Sequence, residues 1–187
     1  VEADESEVID KDNYLITGNV VLKSDSHFLS ADKVRISKTD QSSTAFGNVE
    51  YQDKNFLLKG SEINLKKEDD GLIINVEKVS FQEIASKANG SAEKVFKTPD
   101  YAILDESSYS LCPINDNTWY VKAKKIHFDF NTNRIIADKA TFVFFDVPIL
   151  YIPKYSWVRE GRGSGFLTPS FNIYKESGLE SSDFLIK

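Results

Sequence analysis

The 187-residue chain contains no methionine, one cysteine, two histidines and five prolines. Each scarcity removes a class of protein. The single thiol, Cys112, cannot close an internal disulfide. It is either a buried free thiol or half of a bridge to a cysteine outside this chain. With only His27 and His127 beside it, a cysteine–histidine metal centre is not expected, and no metal ligand or cofactor is assigned. No apolar run approaches the ~18 residues of a membrane-spanning helix. The longest, "FVFFDVPILYI" (Phe142 to Ile152), is interrupted by Asp146 and Pro148. Membrane-spanning strands need only ~9–11 residues each and stay open as a reading. The lack of methionine even at position 1 predicts a chain that begins after a processing site or at a boundary cut within a longer sequence, with any leader out of view. Basic charge is short as well. Lys and Arg number 23 against 29 Asp and Glu, for a net charge of -6, which argues against a general nucleic-acid binder.

Catalytic signatures are missing too. There is no G-x-S-x-G, no H-E-x-x-H and no glycine-rich phosphate loop. A carbohydrate-active β-roll would have to draw on acids such as Asp129, Asp138 or Asp146, and no motif pairs them at a catalytic spacing. No catalytic residue is assigned, and the chain is not expected to be an enzyme.

What is present is a β-strand texture. The hydrophobic share, 41%, is enough for the core of one domain. Residues 1–13 form an acidic lead-in, with six acids and one lysine in "VEADESEVIDKD", read as solvated and frayed. From Tyr14 onward, short runs of Val, Ile, Phe, Tyr and Thr alternate with turn signals such as "KSDSH", "KTDQSS", "KKEDDG" and "FNTNR". They recur roughly every 8–15 residues, which predicts an all-β sandwich, roll or barrel with almost no helix.

The strands repeat. "TGNVVL" at Thr17 returns as "FGNVEY" at Phe46, 29 residues on. A second element reads small, polar, polar, then usually apolar: "ADKV" at Ala31, "GSEI" at Gly60, "AEKV" at Ala92, "AKKI" at Ala123 and "ADKA" at Ala137. A period near 30 over most of its length indicates one strand pair stacked several times. In a regular strand, residues three apart face opposite ways. Ala31 and Val34 reach the same side only if the strand bends at the two polar residues between them. Repeated in each unit, the bend would curl the sheet around its apolar side. The inward set is then Ile16, Val20, Leu22, Leu29, Val34, Ile36, Val49, Ile63, Leu65, Ile74, Val76, Ile126, Phe128, Phe142 and Phe144. A closed sandwich core would use the same residues, so a filled core and a lipid-sized groove both remain open.

The aromatic segment from Phe142 to Trp157 has two equal readings: a buried central strand pair, or an apolar surface that meets another apolar body. "KYSWVREGRGSG" (Lys154 to Gly165) reads as a linker. Two strand-like stretches follow, Gly165 to Lys175 and Leu179 to Lys187, joined at "ESG". Pro169 lies in the first and marks an edge or a bulge. Two strands alone are marginal, so this end looks cut from a larger sheet.

Three segments follow one another in order: "YSLCPINDNTWYVKAKKIHFD" from Tyr109, "ADKATFVFFDVPILYIPKYSW" from Ala137, and "RGSGFLTPSF" from Arg162. Together they resemble the lipopolysaccharide-assembly outer-membrane proteins of the LptD (OstA or Imp) family. The "GNV…ADKV" repeats resemble the OstA-type β-jellyroll of the periplasmic lipopolysaccharide bridge proteins. The resemblance spans nearly the whole chain. It implies a twisted jellyroll of antiparallel sheets around an apolar groove over residues 14–155. A linker and the first two strands of an outer-membrane β-barrel would follow over residues 156–187. It further implies that the jellyroll receives lipopolysaccharide from a bridge protein at its N-terminal edge, shields the acyl chains and passes the molecule to the barrel. A lipoprotein plug, LptE, would fill the complete barrel. Cys112 matches a family cysteine whose partner would lie in barrel sequence absent here. Pro169 would fall on the first barrel strand, at the seam of a lateral gate. Lys154, Arg159 and Arg162 would lie where the jellyroll meets the membrane and are candidate contacts for lipid phosphates. A soluble bridge protein of the same jellyroll type is the alternative, and it gives no reason for the "SGFLTPSF" tail.

Overall fold

A computed structural model describes residues 2–114, 116 and 118–159. Eleven strands follow one another with no helix among the described residues: β1 (Glu5–Val8), β2 (Asn13–Lys23), β3 (Phe28–Ser37), β4 (Ser42–Gln52), β5 (Phe56–Glu68), β6 (Gly71–Glu83), β7 (Asn89–Lys97), β8 (Tyr101–Tyr109), β9 (Trp119–Asp129), β10 (Arg134–Phe144) and β11 (Val147–Val158). Each strand pairs antiparallel with the next, so spatial order equals chain order in one eleven-stranded sheet. Short turns make this meander the direct outcome of the turn spacing in the sequence.

The long strands bend in the middle, at the repeated motif. Ala31 and Val34 are both buried, while Asp32 and Lys33 between them face solvent. The same buried, exposed, exposed, buried order recurs at Ala92–Val95 and Ala123–Ile126. Two outward residues in succession reverse the strand's parity, so both halves turn their apolar side to one interior. The neighbouring strands supply the backbone for the turn. On β2 the pairing steps from Thr17 to Val20 while β3 steps only from Lys33 to Ala31, so the extra residue belongs to the Gly-Asn strand. β4 does the same between Phe46 and Val49 against β5. Gly18 and Asn19 (φ 80° and 43°) and Gly47 and Asn48 (φ 70° and 36°) take up the left-handed backbone of these bulges. Lys78, Glu106 and Lys139 mark the crease on β6, β8 and β10, at φ 48°, 43° and 53°.

Folded along this crease, the sheet becomes two facing layers built from half-strands. Strands that are not neighbours in the sheet then touch across the interior. Phe56, at the start of β5, meets Phe128, near the end of β9, at 5.0 Å between ring centroids. Tyr109 of β8 meets Trp157 of β11 at 5.3 Å.

Two boundaries differ from the sequence reading. The acidic lead-in contains β1, which pairs with β2 from Glu5↔Thr17 to Val8↔Tyr14. An edge strand leaves its side chains in water, so acidic composition does not prevent it from forming. The stretch from Lys154 to Arg159 is not a linker but the last half of β11 and its end. Tyr155 and Trp157 alternate inward there and pack on the core. The expected barrel strands, with Arg162 and Pro169, lie outside the described residues.

Candidate functional site

The interior between the layers gathers most of the inward residues foreseen from the sequence. Val20, Val34, Ile63, Leu65, Ile74, Val76, Ile126 and Phe128 are buried in one cluster with Leu29 and Val49. Ile16, Leu22, Ile36 and Phe142 are half-buried at its margins and pack against it. Phe144 sits further out, half-buried at the end of β10, with its ring 4.6 Å from that of Phe145. Sequence reasoning missed Tyr51, Phe56, Leu58, Phe81, Leu104, Tyr109, Ile135 and Tyr155, all core residues. Their signal was present as alternation: Phe56 with Leu58, Val79 with Phe81, Ala102 with Leu104.

The margins of the two layers opposite the crease form a pair of lips. One lip carries the loops after β2, β4 and β6. The other carries the loops after β5, β7 and β9, and Arg159 after β11. Along part of their length the lips are joined by buried ion pairs. Lys97 Nζ lies 2.5 Å from Asp53 Oδ2, with both side chains 4% exposed. Asp53 is fixed in turn by the backbone N–H groups of Asn55 and Phe56, which donate to its Oδ1 at 2.8 Å each. Arg159 Nε donates to Glu83 Oε1 at 2.6 Å, with Glu83 fully buried and the arginine side chain 9% exposed. Arg159 also donates to Asn55 Oδ1 at 3.1 Å and lies over the Phe130 ring at 5.3 Å. Glu83 accepts the N–H groups of Ala85 and Ser86 and the Ser86 hydroxyl, so its charge is doubly compensated. Asn55 Nδ2 is buried with no hydrogen-bond partner among the described residues.

Beside this clasp the lips part. A cleft of about 740 Å³ is lined by Lys23 to Phe28 and Gln52 to Asn55 on one side, and by Gly71, Leu72, Lys97 and Pro99 on the other. Most of the residues around it are polar, and Phe28, Leu72 and Pro99 are the apolar side chains in its wall. Behind His27 and Asp53 in the cleft wall, the buried Tyr51 hydroxyl lies 2.8 Å from His27 Nδ1 and 3.4 Å from Asp53 Oδ2. Burial, reinforced by the Asp53 charge, pushes that hydroxyl well above the ordinary tyrosine range, so it stays protonated and serves as a hydrogen-bonding group. The arrangement is a packed apolar interior with a cleft at one margin where the lips part.

The remaining candidates are dispersed. Lys154 is exposed on β11. The Arg159 guanidinium is committed to Glu83 and Asn55 inside the lip. Cys112 is free and half-buried in the β8–β9 loop, where its N–H donates to Ser110 Oγ at 3.0 Å and its carbonyl accepts from Asn89 Nδ2 at 2.7 Å. Asp129 and Asp146 lie at opposite ends of the β9–β10 and β10–β11 region. The first accepts from the N–H groups of its turn, and those bonds hold its carboxyl below the ordinary range. The second accepts from the Tyr120 hydroxyl. Together with mid-strand Asp138, these acids form no convergent pair.

Comparison with known proteins gives this architecture a family. The LPS-assembly protein LptD of Aliivibrio fischeri is 29% identical over 97% of this chain and 23% of its own length. LptD of Acinetobacter baumannii is 31% identical over 90% of this chain and 21% of its own length. The chain thus spans about a quarter or less of these relatives. Among solved structures, Pseudomonas aeruginosa LptH, described as the LptA homologous periplasmic component of the lipopolysaccharide transport device, superposes with a TM-score of 0.50. That match is 13% identical and covers 60% of this chain and 81% of LptH, so it speaks for the fold. The family of the LptA/(LptD N-terminal domain) LPS transport protein matches residues 1–142, and the chain belongs to it.

Proposed function

We propose that this chain is the periplasmic receiving part of an outer-membrane lipopolysaccharide translocon. The observation that carries the reading is the apolar interior that runs between two layers along the strand order, bounded by polar lips. Each methylene withdrawn from water is worth ~0.8 kcal/mol, so several acyl chains need a continuous apolar path across an aqueous compartment. A folded sheet provides one along its crease, and the cleft beside the clasp leaves room for a phosphorylated glycan outside.

A periplasmic bridge protein of the same jellyroll type would add its last strand to the β1 edge, continuing the sheet and the interior together. At the other end the lipid would pass to a barrel that begins within residues 156–187, holds an LptE-type plug and opens laterally beside Pro169. Lys154 and Arg162 would meet lipid phosphates at that junction, and Cys112 would bridge to sequence beyond this chain. The jellyroll would move its cargo without chemical change.

The test is photo-crosslinking in cells, with the complete translocon, from Ile63, Phe128 and Phe142, and from outward Asn64 and Lys124. Lipopolysaccharide adducts are expected at the three inward positions. Adducts confined to the outward pair would end the interior-path reading.

A further inference from the structure

We infer that the β10–β11 hairpin is a membrane-docking arm, which inserts its apolar tip into a phospholipid surface bearing anionic headgroups. This goes beyond the transport reading, because it assigns a lipid-surface contact to the jellyroll itself rather than to a barrel.

Along β11, Val147, Pro148, Ile149, Leu150 and Tyr151 are exposed in succession, and Phe145 at the tip is exposed as well. Phe145, Val147, Ile149, Leu150 and Tyr151 retain between 47% and 59% of their surface. Successive strand residues point to opposite faces, so this arm is apolar on both sides. A protein partner with one flat face would cover only half of it. A fluid apolar medium covers both.

The backbone argues against a strand partner. β11 is the last strand of the described sheet and carries Pro148 and Pro153, which lack the N–H that an added strand would use. The surroundings suit an interface with anionic lipid. On the half of β9 and β10 nearest the tip, Lys122, Lys124 and Lys139 are basic, in a chain whose net charge is -6. They share one outer groove at the base of the arm, three cations against the one carboxylate of Glu106. Lys122 lies 5.5 Å over the Tyr120 ring, and the Tyr120 hydroxyl donates to Asp146 at the tip. Aromatic rings with polar ends, Tyr120 and Tyr151, stand where the arm would cross the headgroup level.

The experiment uses the 187-residue chain with phosphatidylcholine vesicles, with and without phosphatidylglycerol. In a Cys112→Ser background, a fluorophore is placed at Ile149→Cys and, as a control, at Asp69→Cys in the β5–β6 turn. With phosphatidylglycerol present, nitroxide lipids should quench the label at 149 and not at 69. Ile149→Asp and Leu150→Asp change exposed positions. Each should weaken vesicle binding about tenfold with melting unchanged. Lys122→Glu with Lys139→Glu should weaken binding to phosphatidylglycerol vesicles alone, and salt should have the same effect. An unquenched label at 149, with both hairpin variants binding as wild type, would overturn the proposal and move any membrane contact to residues 160–187. Self-association abolished by Ile149→Asp would also overturn it, in favour of a second copy covering the arm.

Discussion

At position 47 the backbone sits at φ 70°, and a side chain there would run into the Asp32 carboxylate on β3. Asn48 follows at φ 36° and donates its amide to that same carboxylate at 3.0 Å. One Gly-Asn pair thus supplies both the left-handed turn and the bond that ties it to the neighbouring "ADKV" strand. Gly18 and Asn19 repeat the device, with Asp4 in place of Asp32. Gly60 occupies a different place in the repeat. It stands where Ala31, Ala92 and Ala123 stand in the other units, and a methyl group there would rest 3.4 Å from Val76 Cγ2. The two glycines should therefore respond in opposite ways. Gly47→Val adds strain in the left-handed region and a clash with β3, and should cost about 1–3 kcal/mol. Gly60→Ala fits its backbone, restricts the unfolded chain and should be neutral or stabilising by up to about 1 kcal/mol. Urea unfolding of both variants measures the difference. Equal losses would show that the crease does not depend on the bulge glycine.

At the scale of elements, the clasp decides which parts of the two lips stay shut. Lys97 and Asp53 have left water almost completely, whereas Lys59 and Glu50, paired across β4 and β5, remain 51% and 42% exposed. Removing one member of a buried pair strands the other charge. Lys97→Met should cost about 3–5 kcal/mol. Lys59→Met should cost about 0–1 kcal/mol, because water already solvates its partner. Denaturant titration of the two variants compares them directly, and similar costs would mean that water reaches Asp53 when the lysine is gone. These elements also show what the sequence could convey. The crease was legible because a mid-strand bend demands specific residue types, a small one and then two polar ones, and they recur near every 30 residues. The clasp was not. Glu83 and Arg159 are 76 positions apart, and nothing local distinguishes them from solvated surface charges. Arg159 was read as part of a linker for the same reason: composition near "VREG" hides the alternation that carries Tyr155 and Trp157 inward. The aromatic segment had two readings of equal weight, and its two ends satisfy different ones. Val143 and Tyr155 are buried, while Val147 to Tyr151 are exposed at the sheet's last strand.

The molecule as a whole is polar along its strand order. Among the described strands the first edge, β1, is four residues long and flanked by acids; the last, β11, is apolar at one end, with Lys122, Lys124 and Lys139 on the two strands beside it. Between the edges runs one apolar interior with two routes inward. On the transport reading proposed above, lipid would either slide along the strand order from the β1 end or pass sideways between the lips. The structure makes these routes separable, because the lips touch at Asp53 and Lys97 while the crease side is continuous sheet. Replacing both residues by cysteine in a Cys112→Ser background lets a short cleavable thiol crosslinker bind the lips together after folding. If lipid passes sideways, the bound form should lose crosslinking of lipopolysaccharide to Phe128, and cleaving the linker should restore it. If lipid slides along the axis, Phe128 should be labelled equally in both states. The clasp predicts the first outcome. Phe128 packs on Phe56, whose own N–H is held by Asp53, so the aromatic pair at the centre of the interior is anchored to the lip that must move. Opening there would free Phe56 from Phe128 and expose the space between the layers. A chain advancing only along the axis would have to displace both rings while the lip stayed in place.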